Sequence, residues 1–197
     1  MSVISKVPPF ILASASPRRR ELLLRAGFKL NTVTIAIDEA HDGIAEPIEI
    51  VRSIATKKLE ACTQYLEDSL VLTADTLVFK DDQILGKPVD KNDAVRMLKL
   101  LSNSSHSVVT AVCIGHQDQS YTFHVATEVY FAPLDSEMIE YYIENYRPFD
   151  KAGAYGIQEW IGDVAIQKIN GSYTNVVGLP MYETSQAIIN YSDKWLN

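Results

Sequence analysis

The sequence has few of the residues from which zinc sites and disulfide frameworks are built. It contains two cysteines and four histidines. Cys62 and Cys113 are too far apart to form a zinc-binding cysteine pair, and no two histidines are spaced i, i+4. A zinc enzyme is therefore not expected, and we expect both cysteines to be buried free thiols in a reducing compartment.

Long hydrophobic runs and long basic runs are also missing. No stretch approaches the length of a transmembrane helix. The apolar run 10–13 is short and follows two prolines, which argues against a signal peptide, so we expect a cytoplasmic protein. With 25 acidic and 18 basic residues the net charge is −7, and the only arginine run is 18–20. This charge balance argues against a nucleic-acid-binding or membrane-binding module.

The glycine-rich phosphate loops of common nucleotide-binding proteins are absent as well. The sequence has no Walker loop, no Gly-x-Gly-x-x-Gly and no protein-kinase motif set, which excludes ordinary kinases and GTPases. Carboxylates, lysines and arginines do occur at predicted element boundaries. Without a reactive histidine or cysteine, this set favours metal-assisted phosphoryl chemistry over acyl transfer.

The pattern of apolar residues predicts one mixed α/β domain over residues 1–197. Apolar or alternating runs predict strands at 10–14, 28–37, 70–74, 77–79, 107–115, 121–131 and 164–169. Amphipathic periodicity predicts helices at 17–26, 47–65, 90–101, 135–146 and 180–191, with loops at 150–158 and 171–178. The two long strands 107–115 and 121–131 are expected to pair antiparallel.

The stretch between the first strand and the first helix has features of a phosphate site. Ser16 suits the N-cap position and Pro17 the first helical position. Backbone N–H groups at a helix N-terminus attract anions, and Arg18 and Arg19 would add donors there. From this stretch alone two interpretations remain open, because the arginines could also be solvated while the serine only caps the helix.

Further charged residues fall at predicted element boundaries. Asp75 follows a continuous apolar run, and we expect it to leave the core at the carboxyl end of that strand, where α/β sheets bind ligands. Glu39 follows the second strand, and Lys87 lies between Gly86 and a proline. Each could equally be an ordinary turn residue, and Lys58, beside the apolar stripe of its helix, could simply extend to solvent.

Taken together, these residues resemble the Maf family of nucleoside triphosphate pyrophosphatases. The resemblance covers nearly the whole chain and rests on six motifs in the family's order: Leu12-Ala13-Ser14-Ala15-Ser16-Pro17-Arg18-Arg19, Asp38-Glu39, Ala74-Asp75-Thr76, Gly86-Lys87-Pro88, Asp150-Lys151-Ala152-Gly153-Ala154-Tyr155-Gly156-Ile157-Gln158, and Gly171-Ser172-Tyr173 with Asn175-Val176-Val177-Gly178-Leu179-Pro180. Each motif alone is weak, whereas six in order are specific.

The resemblance implies a fold, an activity and a set of site residues. The fold would be a largely antiparallel, twisted mixed sheet with flanking helices in two lobes around a central cleft. The activity would be hydrolysis of a nucleoside triphosphate between the α and β phosphates with a divalent cation such as Mg²⁺, Mn²⁺ or Co²⁺. Asp75 would accept the proton of the attacking water, and Glu39 would act on the metal or the water, so that both carboxylates are candidate metal ligands. The implied triphosphate contacts are Ser14, Arg18, Lys58 and Lys87.

Three positions that separate the family's substrate branches carry Arg19, Thr76 and Gln158 here. This combination resembles the branch that acts on dTTP and UTP, and modified pyrimidine nucleotides are also conceivable substrates. The chemistry of Gln158 agrees, because an amide offers one donor and one acceptor to O4 and N3–H of uracil or thymine. A glutamate there would face O4 without a donor, which costs about 1–3 kcal/mol when buried.

A second function class remains open at this stage. Maf proteins are also linked with arrest of cell division, so the chain could be a non-catalytic nucleotide sensor. A pure sensor would not need Asp75, which favours the enzyme. The resemblance also suggests a homodimer.

Overall fold

The computed structural model describes residues 3–38, 46–81 and 83–195. Its strands are β1 (Phe10–Ala13), β2 (Leu30–Val33), β3 (Val71–Lys80), β4 (Gln83–Leu85), β5 (Ser105–His116), β6 (Gln119–Phe131) and β7 (Ile166–Asn170). Its α-helices are α1 (Pro17–Arg25), α2 (Pro47–Glu60), α3 (Thr63–Leu66), α4 (Lys91–Leu101), α5 (Ser136–Tyr146), α6 (Trp160–Ala165), α7 (Tyr173–Val177) and α8 (Met181–Trp195). Three short 3-10 segments occur at Val3–Lys6, Pro148–Asp150 and Ala152–Ala154.

The strands form one mixed sheet in the order β2-β1-β3-β5-β6-β7, with β4 added beside β3. Strand β1 is parallel to both β2 and β3, whereas β3 with β4 and β6 with β7 are antiparallel. Only two residues separate β5 from β6, so these long strands form the antiparallel hairpin that was predicted. The mixed α/β class with a largely antiparallel sheet is therefore confirmed.

The chain divides into two compact units. The first comprises the described residues within Met1–Asp75, Thr110–His124 and Gly178–Asn197, and the second those within Thr76–Val109 and Val125–Val177. The core of the first unit includes Phe10, Leu12, Leu23 and Leu72, each at most 1% exposed. In the second unit, α4 and α5 contribute buried side chains to a cluster with β5, β6 and the segment 150–158, here called the 150s loop. In the described part of the chain, no helix has the length and apolar character needed to cross a membrane.

The turn between β1 and α1 forms as the sequence predicts. Pro17 begins the helix, and the Ser16 hydroxyl accepts the backbone N–H of Arg19 at 3.4 Å as its N-cap. The helix ends at Arg25, and Gly27 follows with a φ of +94°. This positive φ favours glycine, so Gly27 marks the end of the helix.

The prediction that Asp75 and Thr76 lie at a strand end is wrong, because β3 continues through both residues to Lys80. A charged residue normally ends a buried strand since its side chain must reach water. Asp75 can remain inside β3 because a lysine from α2 pairs with it. The neighbouring strand β1 does end near this point: its register pairs Leu12 with Leu72, and it stops at Ala13, two residues short of the level of Asp75.

Several other element boundaries differ from the predictions. The strand predicted at 28–37 is limited to Leu30–Val33, where it pairs with β1. The helix predicted at 47–65 breaks at residues 61–62 into α2 and α3. Residues 160–165 form α6 before β7, and the loop predicted at 171–178 contains α7. Strand β2 and helices α3, α6 and α7 are each shorter than a reliable periodic pattern, so tertiary contacts decide their conformation.

Candidate functional site

Two predicted site residues of the first unit are brought to the same level of the sheet by strand register. Leu12 of β1 is paired with Leu72 of β3 in a parallel register. Two residues further along the chain, Ser14 is therefore level with Ala74, and Asp75 is the next residue of β3. Ser14 and Asp75 are each 8% exposed, so both polar side chains are largely buried. The parallel pairing thus places the β1–α1 turn next to the middle of β3.

Lys58 pairs with Asp75 across α2 and β3. The distance from Lys58 Nζ to Asp75 Oδ1 is 2.8 Å, and the two side chains are 14% and 12% exposed. A second bond joins the same two elements, because the Thr73 hydroxyl donates to the carbonyl of Ala55 at 2.7 Å. Helix α2 is therefore held against β3 at a fixed height, which positions the ammonium group over the carboxylate.

Arg19 joins three parts of the first unit. Its Nε donates to the Gly178 carbonyl at 2.8 Å, and its Nη1 donates to the Ala74 carbonyl at 2.7 Å and to the Ser14 hydroxyl at 3.3 Å. The residue is 9% exposed, so these are buried, charge-assisted hydrogen bonds. Arg19 was predicted as an anion donor at the helix start and as a specificity position, and the structure adds that it cross-links the chain next to Asp75.

The neighbouring arginines differ from Arg19 in exposure. Arg18 is half-buried, whereas Arg20 is exposed. The Ser14 hydroxyl also accepts the backbone N–H of Ser16 at 3.2 Å. The β1–α1 turn is thus held by its own side chains, and the cations around it are suited to bind phosphate oxygens.

A divalent cation is the cofactor that the resemblance implies. Carboxylate oxygens suit Mg²⁺, which in nucleotide enzymes is often held by one or two carboxylates together with substrate phosphates. Asp75 provides one such carboxylate, and the other predicted ligand, Glu39, lies outside the described residues. Within the described ranges no three His, Cys, Asp or Glu side chains converge as a ready cation cage.

The remaining predicted site residues belong to the second unit. Thr76 is half-buried in β3, and Lys87 is exposed just after β4. The carbonyl of Gly86, next to Lys87, accepts the backbone N–H of Gly153 at 3.0 Å, which ties the lysine's turn to the 150s loop. Gln158 lies on that same loop and is exposed.

Tyr142 and Glu159, which lie beside Gln158, were not predicted from the sequence. The hydroxyl of Tyr142, on α5, donates to Glu159 Oε2 and accepts the backbone N–H of Gly156 at 2.9 Å. Burial, followed by the bond to Glu159, raises the pKa of the Tyr142 hydroxyl far above its usual range, so it remains a donor at neutral pH. A tyrosine within the apolar periodicity of a helix gives no signal of such a contact, because its ring alone explains the pattern.

Comparisons with known proteins agree with the motifs. The profile of the family described as Maf-like protein matches residues 9–191. A dTTP/UTP pyrophosphatase from Porphyromonas gingivalis is 46% identical over 87% of this chain and 88% of its own length. A dTTP/UTP pyrophosphatase from Parabacteroides distasonis is 43% identical over 92% of this chain and 95% of its own length.

A solved structure of a HAM1 protein from Coxiella burnetii is also similar, with a TM-score of 0.42 and 14% identity over 64% of this chain and 74% of that chain. The family is identified from the sequence comparisons and does not depend on this structural similarity. The match over residues 9–191 and the similarity to full-length relatives show that this chain is a member of the Maf-like protein family.

Proposed function

We propose that this chain is a pyrophosphatase that hydrolyses dTTP and UTP to the nucleoside monophosphate and pyrophosphate. Relatives at 43–46% identity over most of both chains carry this name. Among the structural observations, the one that supports the proposal is the largely buried contact between Lys58 on α2 and Asp75 on β3. Lys58 Nζ lies 2.8 Å from Asp75 Oδ1. A buried lysine–carboxylate pair beside a turn with two arginines offers a base and phosphate ligands together.

We assign the chemical step to Asp75. Its carboxylate would accept a proton from the water that attacks phosphorus on one side of the α–β bridge. The new phosphorus–oxygen bond forms as the bond to the bridging oxygen breaks, and the electron pair leaves with that oxygen. Lys58, which donates to Asp75, would orient the carboxylate and contact the phosphates. The reaction yields a monophosphate and pyrophosphate and needs no other reactant.

Substrate binding is assigned to the other residues that the family motifs imply. Ser14, Arg18 and Lys87 would donate to phosphate oxygens, where cations offset the charge of the triphosphate. Thr76 and Gln158, with Arg19, would set the preference for uracil and thymine. Asp75 and Glu39 would hold the divalent cation, which when bound neutralises phosphate charge and makes water more acidic.

The test is an assay of product identity with the purified chain. UTP, dTTP, CTP, dATP and GTP are incubated with Mg²⁺, and the products are separated by phosphorus NMR. We expect pyrophosphate and a monophosphate from UTP and dTTP, little turnover of the purine nucleotides, and loss of activity with EDTA. Release of orthophosphate and a diphosphate, or equal turnover of all five nucleotides, would contradict the proposal.

Asp75→Asn separates an enzyme from a nucleotide sensor. This change keeps the size of the side chain and removes the base, so turnover should fall by about 10²–10⁴-fold. Nucleotide binding, measured by calorimetry, should remain. A chain whose wild-type form binds UTP and never releases pyrophosphate would instead be a sensor.

A further inference from the structure

Gln158 is an exposed residue on a segment that is otherwise buried. Gly153, Ala154, Tyr155, Gly156 and Ile157 are all buried, and the chain first becomes exposed at Gln158. The preceding backbone therefore has little room to move. The proposed base-reading amide projects from a fixed part of the second unit.

A tight turn sets the direction of this side chain. The carbonyl of Gly156 accepts the backbone N–H of Glu159 at 3.0 Å, so Ile157 and Gln158 are the two central residues of the turn. The turn is anchored at its first residue, because the N–H of Gly156 donates to the Tyr142 hydroxyl at 2.9 Å. It is anchored at its last residue too, because the same hydroxyl donates to the Glu159 carboxylate. One phenol group thus connects both ends of the turn.

A buried lysine engages the opposite side of the Glu159 carboxylate. Lys151 Nζ lies 3.1 Å from Glu159 Oε1 and 2.7 Å from Asp150 Oδ1. The Lys151 side chain is 9% exposed and that of Glu159 is 18% exposed, so water weakens this pair less than it would a surface pair. Tyr142 and Lys151 therefore hold the two oxygens of one carboxylate, which restricts rotation of the Glu159 side chain.

Two glycines allow this packing. A Cβ atom on Gly156 would lie 2.8 Å from Gln158 Nε2 and 2.9 Å from the Glu159 carboxyl carbon. A Cβ atom on Gly162, in α6, would lie 1.8 Å from the Ile157 carbonyl oxygen. The side chain of Gln158 thus lies against bare backbone, and the first turn of α6 lies against the turn that carries it.

We propose that Tyr142, Glu159 and Lys151 are positioning residues that hold Gln158 in the one placement that distinguishes uracil and thymine from cytosine. Cytosine presents the reversed pattern, an amino donor at C4 and an acceptor at N3. An amide that can rotate or shift satisfies either pattern, so discrimination requires that its placement be fixed. The network described above fixes the backbone turn that carries the amide and so limits shifts of its position. This inference rests on the proposed pyrimidine triphosphate pyrophosphatase function.

The test compares Tyr142→Phe with Tyr146→Phe. Both remove one hydroxyl from α5, and the two rings stack at 5.2 Å, but the described bonds to the turn belong to Tyr142. The kcat/KM values for UTP and CTP are measured with each variant, together with the dissociation constants of both nucleotides in EDTA. We expect Tyr142→Phe to lower the UTP-to-CTP ratio at least about tenfold, mainly through KM, while Tyr146→Phe leaves it within twofold.

A Gln158→Ala background shows whether Tyr142 acts through Gln158. If it does, adding Tyr142→Phe to Gln158→Ala changes the UTP-to-CTP ratio little further. A general loss of structure would instead lower kcat for both nucleotides equally. If Tyr142→Phe does not fold, as judged by circular dichroism, Glu159→Gln carries the same comparison because it removes the charge facing Lys151.

The outcomes separate this inference from the proposed function. No pyrophosphate from UTP with the wild-type chain would overturn the function, and the ratio of dissociation constants would still decide the inference. An unchanged UTP-to-CTP ratio in folded Tyr142→Phe and Glu159→Gln would overturn the inference while turnover upholds the function. A wild-type chain that turns over both nucleotides with no preference for UTP over CTP would likewise overturn the inference and leave the function standing.

Discussion

Lys58 on α2 and Asp75 on β3 form a largely buried ion pair, with Nζ and Oδ1 2.8 Å apart. This contact explains how a carboxylate is retained in the middle of a buried strand. Removing one partner leaves the other charge poorly compensated in a site that water reaches only partly. The pair therefore links stability of the first unit to the proposed chemistry.

We expect Lys58→Met to lower the free energy of unfolding by about 1–3 kcal/mol, less than for a fully buried pair since some water reaches both groups. Lys99→Met is the control, because Lys99 is an exposed lysine on α4, and it should change stability by less than about 0.5 kcal/mol. Urea unfolding measures both. Equal effects of the two variants would show that the ion pair contributes nothing specific.

Arg19 offers a second test, because its guanidinium donates to carbonyls at both Ala74 and Gly178. We expect Arg19→Lys to destabilise the chain by about 1–3 kcal/mol, since one ammonium cannot reproduce the fork that spans the two carbonyls. Arg20→Lys, an exposed change of the same kind, should be neutral. Thermal unfolding of both variants is the measurement, and a neutral Arg19→Lys would contradict the cross-linking role.

Much of the fold could be predicted because its signals are local. The β1–α1 junction follows from Ser16, Pro17 and Gly27. The long β5–β6 hairpin follows from a continuous apolar run in β5 and an alternating run in β6. The family could be recognised for a different reason, since several short motifs in a set order identify a lineage even where each alone is uninformative.

The rest depends on contacts between residues distant in sequence. Nothing around Asp75 reveals that Lys58 will meet it, so a polar residue after an apolar run was interpreted as a strand end. Arg19 resembles a solvated helix cation until Ala74 and Gly178 are known to lie beside it. The role of Tyr142 was hidden for the same reason, because apolar periodicity records that a ring is buried and not what its hydroxyl touches.

His106 should make stability depend on pH. It is 4% exposed, its Nε2 lies 2.7 Å from the Tyr155 hydroxyl, and burial, with a smaller effect of Lys80, lowers its pKa from 6.5 to about 4. The folded chain therefore binds this proton less readily than the unfolded chain. Its contribution to stability is complete above pH 6.5 and is lost as the pH falls from 6.5 towards 4.

The measurement is urea unfolding of the wild type and of His106→Asn at pH 7 and pH 5. From pH 7 to pH 5 the free energy of unfolding of the wild type should fall by about 2 kcal/mol more than that of the variant. The reason is that only the wild type has this imidazole, which takes up a proton when the chain unfolds. Other titrating groups affect both proteins alike and cancel in the difference. Parallel losses in the two proteins would show that His106 does not titrate as described.

Gly162 should tolerate no side chain. A Cβ atom there would lie 1.8 Å from the carbonyl oxygen of Ile157 and 2.6 Å from its carbonyl carbon, and a backbone carbonyl cannot rotate away as a flexible side chain can. We expect Gly162→Ala to cost more than about 3 kcal/mol or to prevent folding. Gly86→Ala is the control, because a Cβ atom there meets nothing within 4 Å. Circular dichroism and urea unfolding compare the two, and a Gly162→Ala variant as stable as Gly86→Ala would show that α6 can move away from the turn that carries Gln158.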